Sequence, residues 1–407
     1  MKAYERFLKY ISFDTQSDEL SETCPSTKVQ LVLGYYLADE LKSLGAINVE
    51  QDENGYIYGT IPASKGAEDR PVLALVAHMD TAMDMSGKDI KPQIIRNYDG
   101  SDIVLNKELN IVTTVEQFPE LKEHISEDII VTDGTTLLGA DDKAGISEIM
   151  TLCEYLLNND DVKHPELRIV FTPDEEIGRG VEKINMDKVN ATYGYTVDGE
   201  NLKELCYENF NAASAFVKLH GNCVHTGSAF GIMVNASLLA MEFQSLLPVF
   251  DNPASTKDRM GFFHLNNMEG HVEEAKLVYI VRDHDASKLE LKKELLKKAA
   301  AYMNFKYGEG CCELSIEDSY RNMYEKLMPD HEALIINARE AMKELGYVAI
   351  EDPIRGGTDG ATLSFMGLPC PNLGTGGCGC HGAHEFISIQ SMDTVVEILK
   401  HLVVKFA

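Results

Sequence analysis

Apolar residues recur along this chain with two different periods, and the switches between them mark out its elements. Near the start, Tyr4, Phe7, Leu8 and Ile11 fall three and four apart, and residues 29–44 repeat that spacing up to Gly45. Both segments predict helices, the second one stopped by glycine. Residues 49–61 alternate instead, with Tyr56, Tyr58 and Thr60 on one side and Asn54-Gly55 as a hairpin turn. Residues 71–77 are apolar without interruption, as a strand covered on both faces must be. Helical spacing returns at Ile146, Ile149, Met150, Cys153 and Leu156, and residues 167–171 and 193–197 give two further short apolar strands. Residues 84–130 are rich in turn formers and show neither period.

The style then changes. Residues 211–220 alternate through Ala213, Ala215, Val217 and Leu219, residues 231–247 are helical in pattern, and residues 275–282 and 313–318 alternate again. Between the last two lies a helix over 288–298, whose lysines are interleaved with Leu289, Leu291, Leu295 and Leu296. Two helices and about four strands, three of them marked by alternation, predict an α+β domain with a four-stranded sheet, inserted at residues 209–319. Residues 1–208 and 320–407 then form one discontinuous α/β domain, with a mixed, mostly parallel sheet flanked by helices. A helix over 332–345 and a final amphipathic helix over 392–404 belong to it.

A length of 407 residues supports two domains, and 44% hydrophobic with 25% charged residues is the composition of an ordinary globular protein. The formal charge is −28, from 37 basic against 65 acidic residues, and no basic patch interrupts it. Nucleic acids and anionic membrane surfaces are thereby disfavoured as partners. No apolar run approaches the roughly 18 residues that span a bilayer. Nine cysteines without scaffold spacing, and a start (Met1-Lys2-Ala3-Tyr4) lacking the apolar core of a signal peptide, point to the cytoplasm.

Chemistry gathers where apolar strands end. His78 and Asp80 follow the run at 71–77, Asp141-Asp142 precede a helix, Glu175-Glu176 follow Phe171-Thr172-Pro173, and Asp198 closes the strand at 193–197. Each has an ordinary reading: a core histidine, helix N-caps, solvated charges at a helix start. Polar residues at the carboxyl ends of strands are also where open α/β sheets place their sites, and the pattern occurs four times here. His381, on a glycine-rich loop, adds a second imidazole. Two histidines and three carboxylates, one of them bridging, can serve two divalent ions, and nitrogen and oxygen donors suit zinc, cobalt or manganese. Neighbouring glutamates at a strand end point different ways, so one can bind metal while the other acts as general base. Cys378-Gly-Cys380 immediately before His381 reads either as a thiolate donor or as small residues filling a tight loop; the absence of a second cysteine pair at ligand spacing favours the latter.

The strings His78-Met-Asp80-Thr, Gly139-Ala-Asp141-Asp-Lys143, Pro173-Asp-Glu175-Glu176, Asp198-Gly, His225-x-Gly, Arg355-Gly-Gly-Thr-Asp359-Gly and His381-x-x-x-Glu385 occur in that order. They resemble the motif series of the co-catalytic dizinc metallopeptidases, the family that includes aminoacylases, carnosinases and glutamate carboxypeptidases. Within it, Glu208-Asn-Phe-Asn-Ala-Ala-Ser and Ile280-Val-Arg-Asp look like the tripeptide aminopeptidase branch, and the likeness spans nearly the whole chain. The resemblance implies His78 and Asp198 on one zinc, Glu176 and His381 on the other, and Asp141 between them. It implies Glu175 as general base and Asp80 as the residue orienting His78. The inserted domain would be a lid carrying His225, Asn235 and Arg282 toward substrate, with Arg282 binding a peptide carboxylate and His225 an oxyanion. Arg355 and Asp359 would lie near the cleft. The activity implied is removal of the N-terminal residue of a small peptide, a tripeptide, by a hydroxide activated at the zinc pair. A dipeptidase or N-acyl-amino-acid hydrolase is the alternative, and a non-catalytic peptide-binding protein a remote one that predicts a missing ligand. Monomer and homodimer both stay open, since a lid sheet offers an edge to a partner.

Overall fold

The computed structural model describes residues 1–407, which divide into two compact units. Met1–Tyr207, Glu325–Asp352 and Thr358–Ala407 form the first; Glu208–Tyr324 and Pro353–Gly357 form the second. The segment Pro353–Gly357 is placed by sequence with the first unit but clusters with the second. The reason is Arg355, whose guanidinium donates to the carbonyls of Asp258 and Met260 and lies over the rings of Phe210 and Phe262.

A seven-stranded sheet organises the first unit, in the order Ile47–Gln51, Ile57–Ile61, Leu167–Thr172, Leu73–His78, Tyr193–Gly199, Asn372–Gly374, Leu205–Cys206. Leu73–His78 is buried at every position, which accounts for its unbroken apolar sequence. It runs parallel to both of its neighbours, and Asn372–Gly374 runs parallel to Tyr193–Gly199. The outer pairings are antiparallel, so the sheet is mixed with a parallel centre. Register sets the position of the chemistry. His78 stands opposite Thr172, and Val76 opposite Thr196, which brings Asp198 to the same level two residues on. Three strand ends therefore deliver His78, the turn after Thr172, and Asp198 side by side.

Helix Ala140–Leu157 packs Ala140 and Ala144 against Phe7 of the first helix, Ile11 at that helix's end, and Met392 and Val396 of the last helix. The chain enters this helix irregularly: Gly139 is left-handed (φ 79°), and Asp141 (ψ 106°) and Asp142 (φ −122°) depart from helical geometry. Within residues 84–130 the structure forms strands of only three or four residues, too short to show a period. Two of the short strands, Gln93–Ile95 and Ile129–Val131, join Phe386–Ser388 and Gly377–Cys378 in a small sheet.

In the second unit four antiparallel strands follow the order Phe262–Gly270, Glu274–Asp283, Asn211–His220, Cys312–Asp318. One face packs Ala215, Val217, Leu277, Tyr279 and Val281 against Leu239 and Phe243 of helix Ala236–Ser245 and Leu289, Leu296 and Met303 of helix Ala286–Tyr307. Leu291, counted by sequence in the apolar stripe of the lysine-rich helix, is 69% exposed. Lys293 lies on the buried side instead, its ammonium donating to Glu290 and Asp318. No helix in either unit is long and apolar enough to cross a membrane.

One core position works against the rest. Glu148, in helix Ala140–Leu157, is fully buried, and neither carboxyl oxygen has a hydrogen-bond partner. Burial holds its pKa well above the usual glutamate value. With the folded pKa above the unfolded one, the folded state binds more protons and stability declines as pH rises past about 4.3. Glu148→Gln removes this dependence. Denaturant titrations from about pH 5 to about pH 8 should show the variant gaining on the parent by up to about 1.4 kcal/mol per pH unit; parallel profiles would show that Glu148 titrates alike in both states.

Candidate metal centre

His78 is almost fully buried at its strand end, and both ring nitrogens face oxygen. Nε2 lies 2.8 Å from Asp141 Oδ1 and 3.2 Å from Asp198 Oδ1. Nδ1 lies 3.2 Å from the carbonyl oxygen of Asp80 and 3.4 Å from its Oδ1. A carbonyl only accepts, so Nδ1 carries a proton, and Nε2 is left facing two carboxylates, where either a proton or a cation can stand between them. His381 repeats the arrangement. Its Nε2 is 3.1 Å from Asp141 Oδ2 and 3.0 Å from Glu176 Oε2, and its Nδ1 is 3.5 Å from Asp84 Oδ2. The donor atoms of His78, Asp141 and Asp198 all lie within 4.8 Å of one another, as do those of Asp141, Glu176 and His381. Asp141 belongs to both groups, with one oxygen toward each imidazole.

Electrostatics shows what such crowding requires. Burial, opposed by His78, pushes Asp198 up to about 6. Burial and the Asp141 charge push Glu176 up to about 7 despite the His381 contact. Asp141 goes the other way: burial would raise it, but hydrogen bonds from His381 and His78 hold it below the usual carboxylate range. Burial lowers His78, yet Asp198, Asp141 and Asp80 outweigh it and raise the ring pKa; the bonds to Asp141 and Glu176 carry His381 up to about 11. Each imidazole thus attracts a positive charge between its Nε2 and two carboxylates. Imidazole nitrogen and carboxylate oxygen converging in threes, with one carboxylate shared, fit a pair of divalent cations.

The turn after Thr172 is held from two sides. Asp174 is left-handed (φ 59°), and its carboxylate accepts from Ser26 N (2.7 Å), Ser26 Oγ (2.5 Å) and Gln30 Nε2 (2.7 Å). The carboxylate of Asp80 accepts from the amides of Glu175 (2.9 Å) and Glu176 (3.2 Å). Asp80 therefore joins the histidine strand to the glutamate turn as well as facing His78. Burial, followed by the Asp198 charge, holds the Glu175 carboxyl well above its usual pKa.

Several contributors were given no role by the sequence. Asp142 accepts from the amide of His78 (3.1 Å), and Glu385 from amides at the entry to helix Ala140–Leu157. Asp142 and Glu385 stand inside the quoted motifs; Ser26 and Gln30 lie 148 and 144 residues from Asp174 in sequence. Asp359, expected near a cleft, is buried at the end of strand Leu167–Thr172, where it accepts from Thr172 Oγ1 (2.9 Å) and is pushed up to about 7 by burial. Gly180 must be glycine there, since a Cβ would stand 2.3 Å from Asp359 Oδ1.

The other expected residues belong to the second unit. Arg282 donates from Nη1 to the Arg355 carbonyl (3.0 Å) and lies over the Tyr320 ring, while its buried Nε has no partner. Arg355 is occupied by Asp258, Met260 and Thr256 Oγ1. Asn235 caps helix Ala236–Ser245 by accepting from Ser237 N (3.0 Å). His225 is exposed and accepts from Gly227 N (3.1 Å) at Nδ1, which leaves its Nε2 bearing the proton.

Residues 129–405 match the sequence profile of peptidase family M20/M25/M40. The chain belongs to this family. It is a peptidase, and family membership agrees with the two metal-ligand groups found in the first unit. Among M20 relatives, the Peptidase T of Caldanaerobacter subterraneus subsp. tengcongensis is 52% identical over 402 residues, covering 99% of this chain and 98% of that one. Aminopeptidase PepT from Bacillus cereus ATCC 10987 shares the fold at a TM-score of 0.77 and 20% identity, covering 100% of this chain and 98% of that structure. A tripeptidase from Staphylococcus aureus subsp. aureus Mu50 matches at 0.79 and 21% identity with the same coverages.

Proposed function

We propose that this M20 peptidase is a metallo-aminopeptidase that releases the N-terminal residue of tripeptides, with Glu175 as general base beside two divalent ions. The observation that carries the reading is the Asp141 carboxylate standing between two imidazoles, each facing a further carboxylate. On this reading His78 and Asp198 hold one ion, Glu176 and His381 the other, and Asp141 both. Zinc is the proposed occupant, with cobalt and manganese compatible with the same donors. Bound there, the ions supply Lewis acidity to the scissile carbonyl and the attacking water. The tripeptide as substrate rests on the Peptidase T relatives and the tripeptidase of like fold. Cytoplasmic placement follows from the cysteine usage and belongs to the same proposal.

The chain's own groups perform the proton work. The Glu175 carboxylate takes a proton from water as the peptide carbonyl is attacked and returns it to the departing amine. Burial holds its carboxyl well above the usual pKa, and bound cations would oppose that shift. Asp80 fixes the Glu175 amide, so the base cannot drift from the turn. The Asp80 carbonyl and Asp84 face Nδ1 of the two histidines and hold Nε2 as donor to metal. In the second unit, Arg282 is assigned to the peptide carboxylate, His225 to the oxyanion, and Asn235 to substrate contact.

Glu175→Gln should retain two metal equivalents by elemental analysis while turnover falls about 10²- to 10⁴-fold. Turnover near the parent value would remove Glu175 from the base role. Substrate assignment is tested with di-, tri- and tetrapeptides, their N-acetylated forms, and a tripeptide amide. Free tripeptides should be preferred, and Arg282→Ala should raise KM for the tripeptide by about tenfold or more without changing it for the amide. Preference for acetylated or two-residue substrates would contradict the proposal, and equal loss on acid and amide would release Arg282 from carboxylate binding.

A further inference from the structure

We propose that Glu385 is the positioning residue that holds the shared Asp141 carboxylate in register with His381, and that the Asp141–Glu176–His381 ion depends on it more than the Asp141–His78–Asp198 ion does. The inference rests on the two-ion reading above. Glu385 is 1% exposed, and its carboxylate accepts from four consecutive amides. Oε2 accepts from Leu138 N (2.6 Å) and Gly139 N (2.8 Å), and Oε1 from Ala140 N (2.7 Å) and Asp141 N (3.2 Å). These amides lie at the entry to helix Ala140–Leu157, where Gly139 is left-handed and the chain is not helical at Asp141 and Asp142. First-turn amides have no acceptor within their own helix, so without Glu385 this stretch would lose the group that fixes it.

Glu385 is itself anchored. The next residue, Phe386, pairs with Val131 in the small sheet, and His381 lies four positions earlier on the same loop. One carboxylate therefore joins two segments 244 residues apart, each carrying a donor to the same ion. The two ion groups differ in what else supports them. His78 and Asp198 stand on adjacent strands of the central sheet, so the first group keeps two of its three donors whatever happens at the helix entry. In the second group, Asp141 and His381 both sit on the segments that Glu385 ties together. Glutamine in place of Glu385 keeps the volume but turns an NH2 toward amides that need acceptors.

The test is calorimetric titration of the metal-free full-length parent, Glu385→Gln and Glu385→Asp with Zn²⁺, with thermal melts of each metal-free protein. The parent should take two equivalents. Glu385→Gln should bind the first as the parent does and the second about 10- to 100-fold more weakly. Glu385→Asp keeps the charge but is one methylene shorter, and should fall between the two. Parent-like affinity for both equivalents, or equal weakening of both, would overturn the assignment. Should Glu385→Gln fail to fold, Glu385→Asp decides by the same criterion. A parent that does not bind two equivalents would instead defeat the two-ion reading on which the assignment stands.

Discussion

Asp141 stands 2.8 Å from one imidazole and 3.1 Å from another, with Asp198 and Glu176 crowded against the same two rings. Three carboxylates so close together repel one another, and withdrawing each charge from water costs several kcal/mol unless it is compensated. Burial first, and the Asp141 charge after it, raise Asp198 and Glu176, and the neighbouring carboxylates raise both histidines, so the cluster favours positive charge among its acids. Divalent cations relieve the repulsion more fully than protons do. The surrounding structure serves to keep the acids from moving apart when cations are absent.

That rigidity comes from several directions. The central strands fix His78 and Asp198 by register, the Asp80 carboxylate binds the amides of Glu175 and Glu176, and Ser26 and Gln30 hold Asp174. Carboxylates at Asp80, Asp142, Asp174 and Glu385 accept from backbone amides. Negative charge is thus used twice here, once to bind and once to brace. The second unit contrasts with this. Its core is a one-faced sheet under two helices, and its Arg282 and Arg355 donate to backbone carbonyls of the same unit.

The buried strands were legible because residues 71–77 are apolar without a break, and the residues of the two candidate metal groups drew attention because a polar residue ending such a strand is conspicuous. Two helices and three of the four strands of the second unit were equally legible from their periods. The fourth, Phe262–Gly270, was not: it is an edge strand with a bulge after Leu265, and its latter half is exposed on both faces, so alternation disappears. Helix Asp359–Phe365 was hidden behind Gly356, Gly357 and Thr358, which read as a turn. Glu385 was visible within its motif, but its four amide partners lie 244 to 247 residues away, and no local pattern records such a distance. Arg355 was legible as a residue of interest, but that its donors are taken up by backbone carbonyls depends on packing alone.

The central claim is that two cations share Asp141, and anomalous diffraction from crystals of the zinc-loaded protein tests it most directly. The account predicts two zinc peaks per chain, one among His78, Asp141 and Asp198 and the other among Asp141, Glu176 and His381. A single peak, or peaks that leave Asp141 uncoordinated, would contradict it.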